Sequence, residues 1–240
     1  MKRAALLLGH GSPDPIAHAE LGELSTLVGR RLGLDVRLGV LEFSAPGLPG
    51  LDEAFTALRD QRCVAAQPLI LFDGRHGQRD IPSAAARATS RLGVVVRLGE
   101  AFGREPRLID LAVERLRDHD PARGDVLLFI GRGSSEAVAR CQTEEVAGAV
   151  SEAVGIGCVV CYTGISRPSL DKGMEAALDQ RPRRVLAVPY LLHTGVLVRR
   201  VTEVLVPIAQ QHTAELVVLP HIGNAPRLVD VVANRLEQLL

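Results

Sequence analysis

The chain is expected to be an α/β protein of two similar doubly wound lobes, each a mainly four-stranded parallel sheet flanked by helices. Three observations predict this fold and its origin in an internal duplication. Short β-branched or leucine-rich runs alternate with helical patterns, the order that builds parallel sheets covered on both faces. The runs fall into two sets of four. The punctuation between them recurs at nearly one spacing, which chance does not sustain over four separate anchors.

The first set of runs is Ala4–Leu8, Val36–Leu41, Val64–Phe72 and Val94–Leu98. The second is Val126–Ile130, Cys158–Tyr162, Val185–Leu192 and Leu216–Leu219. Their shortness and β-branched content suit buried strands. Between them, Leu51–Arg59, Arg107–Arg117, Ser134–Val154 and Arg227–Leu240 carry helical patterns. The anchors pair Leu6–Ser12 with Leu128–Ser134, and Pro49-Gly50-Leu51-Asp52 with Pro168-Ser169-Leu170-Asp171. They also pair Pro68-Leu69 and Gly74 with Pro189-Tyr190 and Gly195, and Pro106–Asp110 with Pro226–Asp230. The spacings are 122, 119, 121 and 120 residues. The join lies near His119-Asp120-Pro121-Ala122-Arg123-Gly124. The expected lobes are therefore residues 1–122 and 123–240, the second a degenerate repeat.

Hydrophobic residues make up 47% of the 240, but aromatics only 3%, so aliphatic side chains must fill both cores. Lys+Arg and Asp+Glu both number 28, and a chain without basic excess argues against a nucleic-acid partner. Lys2 and Lys172 are the only lysines. The cationic side chains are thus nearly all arginine, which suits bidentate carboxylate or phosphate recognition; a high-GC genome gives the same bias. No stretch approaches a membrane span, and the apolar run after Met1-Lys2-Arg3 ends too soon at Gly9-His10-Gly11 for a signal peptide. A cytoplasmic protein is expected. Cys158 and Cys161 form a C-x-x-C on a strand, where residues three apart face opposite sides. They read as buried thiols, with an iron–sulfur or redox role as the lesser alternative.

Sites in such folds sit at the carboxyl ends of the strands. His10 ends the first run, Glu42 the second and His76 the third. Arg75-His76-Gly77 is also the tripeptide of phosphohistidine phosphatases and mutases, but there it follows a first strand, and a bare tripeptide is weak evidence. Two imidazoles and a carboxylate suit an open site for Fe²⁺, Co²⁺ or Ni²⁺. Singly, His10 reads equally as a loop cap and Glu42 as a solvated strand end. In the second repeat His10 becomes Arg132, and His76 aligns with Leu197, so the pair exists only in the first.

At these positions the sequence resembles the class II chelatases that insert metal into sirohydrochlorin, the CbiX and SirB type. The matching elements are Leu8-Gly9-His10-Gly11-Ser12-x-Asp14-Pro15, Glu42, and Pro68-Leu69-x-Leu71-Phe72-x-Gly74-x-His76-x-x-x-Asp80-Ile81-Pro82. Arg167-Pro168-Ser169-Leu170 and Val188–Leu192 with Gly195-Val196-Leu197 follow in order, so the likeness spans essentially the whole chain. It implies two lobes with the tetrapyrrole between them, and an incoming metal bound by His10 and His76. Metal insertion displaces two pyrrole protons, and imidazole titrates in the range that accepts them. His10, His76 and Glu42 are accordingly the expected catalytic set, with His10 and His76 as metal ligands.

Sirohydrochlorin is an octacarboxylate, so cations and N–H donors are expected around it. Ser12 and Ser134 lie where loops enter helices, and open backbone N–H groups there suit carboxylates. Arg75, Arg79 and Arg132 are the expected carboxylate partners, although Arg75 and Arg79 read equally as solvated surface. His193 is a further candidate for substrate contact, while His18 reads as solvated. The resemblance implies a divalent metal as substrate, no permanently bound cofactor, and a tetrapyrrole as the main partner. No nucleic acid or membrane partner is expected, and the chain is expected to be a monomer or homodimer. The alternative is a non-catalytic metal or tetrapyrrole carrier of the same fold.

Overall fold

The computed structural model describes residues 4–72 and 74–240; at His76 the backbone is described and the side chain lies outside the described residues. Two four-stranded parallel sheets are formed, each ordered as expected for a duplication. In the first, β1 (Ala4–Gly9) lies between β2 (Val36–Val40) and β3 (Cys63–Pro68), with β4 (Val95–Leu98) outside β3. In the second, β5 (Asp125–Gly131) lies between β6 (Gly157–Tyr162) and β7 (Arg184–Pro189), with β8 (Glu215–Val218) outside β7. The central strands β1 and β5 are buried along their whole length, because helices cover both faces of a parallel sheet.

Eight α-helices are seen among the described residues: α1 (Pro15–Leu32), α2 (Leu51–Thr56), α3 (Ile81–Leu92), α4 (Pro106–Arg117), α5 (Ala137–Val154), α6 (Leu170–Leu178), α7 (Val196–Ala209) and α8 (Pro226–Leu239). On one face of the first sheet, Leu6, Leu8, Val64 and Ala66 pack with Phe55 of α2 and Ile81 and Ala84 of α3. The second sheet repeats this with Leu128, Ile130, Val185 and Ala187 against Met174 of α6 and Val201 and Leu205 of α7. Small and aliphatic side chains fill both cores, as the scarcity of aromatics requires.

The expected boundary at residue 122 is not where the compact units divide. One unit runs to Gly103 and takes up Asn224–Leu240, and the other is Arg104–Gly223. Helix α8 packs on α1 and β3, and α4 packs on α5, so each repeat gives its last helix to the other unit. Repeat-related arginines fix the exchange. In α8, Arg235 donates to the carbonyls of Glu100 (3.2 Å), Ala101 (3.0 Å) and Phe102 (3.1 Å), and stacks over the Phe102 ring at 5.0 Å. In α4, Arg115 donates to the carbonyls of Pro220 (3.0 Å), His221 and Ile222 (3.1 Å). Each guanidinium thus supplies donors to carbonyls of the loop after the outermost strand. Sequence periodicity finds α4 and α8 but not the sheet they cover.

Two expected strands are shorter than their apolar runs. The ladders of β3 and β7 stop at Pro68 and Pro189, because their central neighbours end at Gly9 and Gly131. Beyond Leu69 and Tyr190 the chain turns to other partners. Phe102 N–H donates to Ile70 O (2.8 Å), and Ile222 N–H to Leu191 O (2.9 Å).

At the opposite end of β5, the buried Asp125 accepts from Arg183 and Arg184 and from the Ala122 N–H. Burial pushes its carboxyl up, but the Arg184, Ala122 and Arg183 hydrogen bonds prevail and hold it at about 2. The β6 thiols behave as buried groups. Burial raises Cys158 to about 11 and Cys161 to about 12, so neither is a thiolate at neutral pH.

Candidate metal centre

The β1–β2 ladder continues past the strands. Leu41 N–H donates to Gly9 O (3.1 Å), and Glu42 N–H donates to His10 O (2.9 Å). These bonds bring the imidazole-bearing and carboxylate-bearing loops together on the β2 side of the sheet's carboxyl edge. Gly11 makes the approach possible. Its φ is +89°, and a Cβ there would lie 1.9 Å from the Glu42 carbonyl oxygen, so no L side chain fits.

His10 is half-buried, and its Nδ1 lies 3.1 Å from the Gly11 carbonyl oxygen. A carbonyl only accepts, so Nδ1 carries the proton and the neutral ring's basic nitrogen is Nε2. That tautomer suits a metal ligand or a proton acceptor. The Glu42 side chain is exposed.

His76 opens a π-helical turn, His76–Asp80, that runs directly into α3. Such turns occur frequently at functional sites. The expected meeting of His76 with His10 involves a side chain outside the described residues. Arg75 precedes this turn and Arg79 lies within it, and both are exposed. Among the described residues no group of three His, Cys, Asp or Glu side chains forms a metal cluster, and the His76 side chain is not among them.

Ser12 corrects one expectation. The N–H of Ile16 at the start of α1 already bonds to the Asp14 carboxylate (3.0 Å), which is buried. The helix therefore supplies its own anion, and the Ser12 hydroxyl accepts from Asp14 N–H (3.1 Å). His18 is not simply solvated either: its Nε2 bonds the Ser12 carbonyl.

The second unit has the same backbone with other side chains. Arg132 stands exposed at the His10 position, and Gly133 has a φ of +88°. Gly164 stands at the Glu42 position; a Cβ there would lie 2.5 Å from the Arg132 carbonyl oxygen. Ser134 is tied on both sides to the Ser166 hydroxyl, at 2.8 and 2.9 Å, and its own hydroxyl accepts from Glu136 N–H (3.1 Å). Arg140, at the His18 position, donates to the carbonyls of Ser134 (3.0 Å) and Ser135 (2.9 Å). His193 is half-buried just before Gly195 and α7.

Three further repeat-related pairs lie after the strands: Ile16 with Val138 and His18 with Arg140 near the starts of α1 and α5, and Phe43 with Ile165 in the loops after β2 and β6. Each pair is 122 residues apart, as His10 and Arg132 are. Ile16 is 64% exposed, Val138 52%, Phe43 48% and Ile165 75%. Comparing the repeats position by position, rather than by their punctuation, carries that signal.

Comparison with known proteins agrees with the duplication. The CbiX family model matches residues 4–119 and again 126–239. The chain belongs to the CbiX family. The sirohydrochlorin ferrochelatase of Priestia megaterium is 28% identical to this CbiX-family chain over 218 residues, covering 86% of it and 80% of the relative. A sirohydrochlorin cobaltochelatase of the same organism is 25% identical, covering 98% and 79%. Among solved structures, SirB from Bacillus subtilis with Fe³⁺ superposes with a TM-score of 0.85 at 24% identity, covering 100% of this chain and 96% of that one. SirB from Bacillus subtilis subspecies spizizenii in complex with cobalt gives 0.82 at 22% identity, covering 100% and 95%. The CbiX-family fold, two similar α/β lobes, is the one observed.

Proposed function

We propose that the chain is a sirohydrochlorin chelatase. It inserts a divalent metal, Co²⁺, Fe²⁺ or Ni²⁺, into sirohydrochlorin with release of two protons, in sirohaem or cobalamin-type biosynthesis. The metal is a substrate, and no permanently bound cofactor is needed. The supporting observation is the Glu42 N–H to His10 O bond of 2.9 Å, which joins the backbones of the carboxylate-bearing and imidazole-bearing loops, with His10 Nδ1 committed to a carbonyl.

His10 Nε2 and His76 hold the incoming metal. Imidazole binds these ions firmly enough to orient them, and a site of few ligands leaves positions open for exchange. As the macrocycle takes the metal, its two pyrrole protons pass to basic groups at the site, the imidazoles and the Glu42 carboxylate. Arg75, Arg79, Arg132, Ser12, Ser134 and His193 contact the substrate periphery. Ser12 does so through its hydroxyl, since the nearby helix N–H is taken. The expected setting is cytoplasmic, as a monomer or homodimer, without a nucleic-acid or membrane partner; among the described residues no helix is long and apolar enough to cross a membrane.

The test follows sirohydrochlorin absorbance with each metal. Wild-type protein should accelerate insertion, and His10→Ala and His76→Ala should each fall to the spontaneous rate. Wild-type rates in both variants would remove the metal assignment. A wild-type protein that binds sirohydrochlorin but leaves insertion at its spontaneous rate is a carrier instead.

A further inference from the structure

The second unit's strand-end loops carry a charge that the first unit's lack. Segments 131–140, 163–169 and 190–201 hold five arginines and one glutamate. The corresponding segments of the first unit, 9–18, 41–50 and 69–80, hold two arginines and four acidic residues. Position by position, His10, His18 and Glu42 become Arg132, Arg140 and Gly164. Two histidines turn into permanent cations, and a carboxylate is deleted.

Two of these arginines are held by backbone carbonyls rather than by carboxylates. Arg140 in α5 uses one nitrogen, Nη1, for both the Ser134 and Ser135 carbonyls. Arg200 in α7 reaches the Thr163 carbonyl with Nη1 at 3.4 Å. Thr163 is itself bonded through its N–H to Gly131 O (3.0 Å), immediately before Arg132. Neither Arg140 nor Arg200 forms an ion pair among the described residues, whereas Arg31, Arg87, Arg104, Arg183 and Arg184 do. A guanidinium anchored through one nitrogen keeps Nε and Nη2, the edge that takes a carboxylate bidentately.

We infer that the carboxyl edge of the second unit is a polycarboxylate-binding surface in its own right, in which Arg140 and Arg200 bind substrate carboxylates alongside Arg132. This rests on the chelatase reading for the identity of the ligand, but not for the chemistry of the surface. The carbonyl tethers hold the cations in place before the ligand arrives, which lowers the entropy lost on binding.

The test measures fluorescence of two metal-free porphyrins, uroporphyrin with eight carboxylates and a dicarboxylate porphyrin, titrated with full-length protein at several salt concentrations. Arg200→Met should weaken uroporphyrin binding roughly 10-fold, and Arg140→Met with Arg200→Met roughly 100-fold, with a shallower salt dependence. Arg140→Lys, which keeps a cation, should recover part of the loss. Binding of the dicarboxylate porphyrin should change less than threefold, and the KM for Co²⁺ should not move. Uroporphyrin affinity unchanged in Arg200→Met, or equal losses for both porphyrins, would overturn the inference. If wild-type protein shows this arginine dependence but never accelerates metal insertion, the chelatase reading falls and the surface stands.

Discussion

The loops Gly9–Ser12 and Gly131–Ser134 follow the same course. Both leave a central strand, turn at a glycine with φ near +90°, and enter an 18-residue helix. They differ in what they present. The first carries an imidazole and is bonded through its backbone to a carboxylate-bearing residue, and the second carries guanidinium groups and has a glycine at the position of that carboxylate. On the function proposed above, a duplicated backbone serves two chemistries, one for a cation and one for anions. Keeping the backbone preserves the strand-end geometry, while side-chain replacement alone changes the ligand.

The sharpest way to break this comparison is to copy the second unit into the first. His10→Arg should lower metal insertion at least about 100-fold, because a guanidinium neither ligates metal nor accepts a proton. The fold should survive, since the same backbone carries an arginine at position 132; the melting temperature should stay within about 4 °C. Retained insertion in a folded His10→Arg protein would dissolve the division of labour.

Next in size are the two turn glycines. Gly11→Ala places its Cβ against the Glu42 carbonyl, whereas Gly133→Ala meets Ser166 at 3.1 Å. Denaturant unfolding should show a loss of about 3 kcal/mol for Gly11→Ala and about 1–2 kcal/mol for Gly133→Ala. Equal losses would mean that the closer packing of the first loop has no energetic consequence.

Asp125 sharpens the comparison at the other end of the second sheet. Its pKa is lowered to about 2 from an unfolded value near 3.8, so its stabilisation is present above that unfolded value. It is lost as pH falls through about 2. Asp125→Asn should therefore cost on the order of 2 kcal/mol at neutral pH, and the difference from wild type should vanish in acid. A pH-independent difference would assign the effect to packing instead.

The smallest effects belong to the exposed apolar pairs. Phe43→Ser and Ile165→Ser should each leave stability within about 0.5 kcal/mol, as exposed substitutions do. Both should nonetheless weaken sirohydrochlorin binding a few-fold, roughly the transfer free energy of part of one side chain. Unchanged binding in both would separate these residues from the substrate.

Much of this was legible in the sequence. Alternating runs located both sheets, and the anchors at 119–122 residues exposed the duplication, because strand ends tolerate little variation in punctuation. His10 and Glu42 were legible as strand-end residues, and the structure adds the bond that joins their loops. The destination of α4 and α8 was not legible. Which sheet a helix covers depends on long-range bonds such as those of Arg115 and Arg235, which leave no local pattern. The capping of α1 by Asp14 is different, because an N-cap carboxylate directly before Pro15 is a local pattern that the sequence does carry.

The exchanged helices also set an order of completion during synthesis. Everything in the second unit lies between Arg104 and Gly223, so it can close as soon as that stretch has left the ribosome. The first sheet is translated earlier but must wait for residues 226–239 to cover α1 and β3. The half of the chain encoded second is therefore the first able to mature, and the half bearing His10 is finished last.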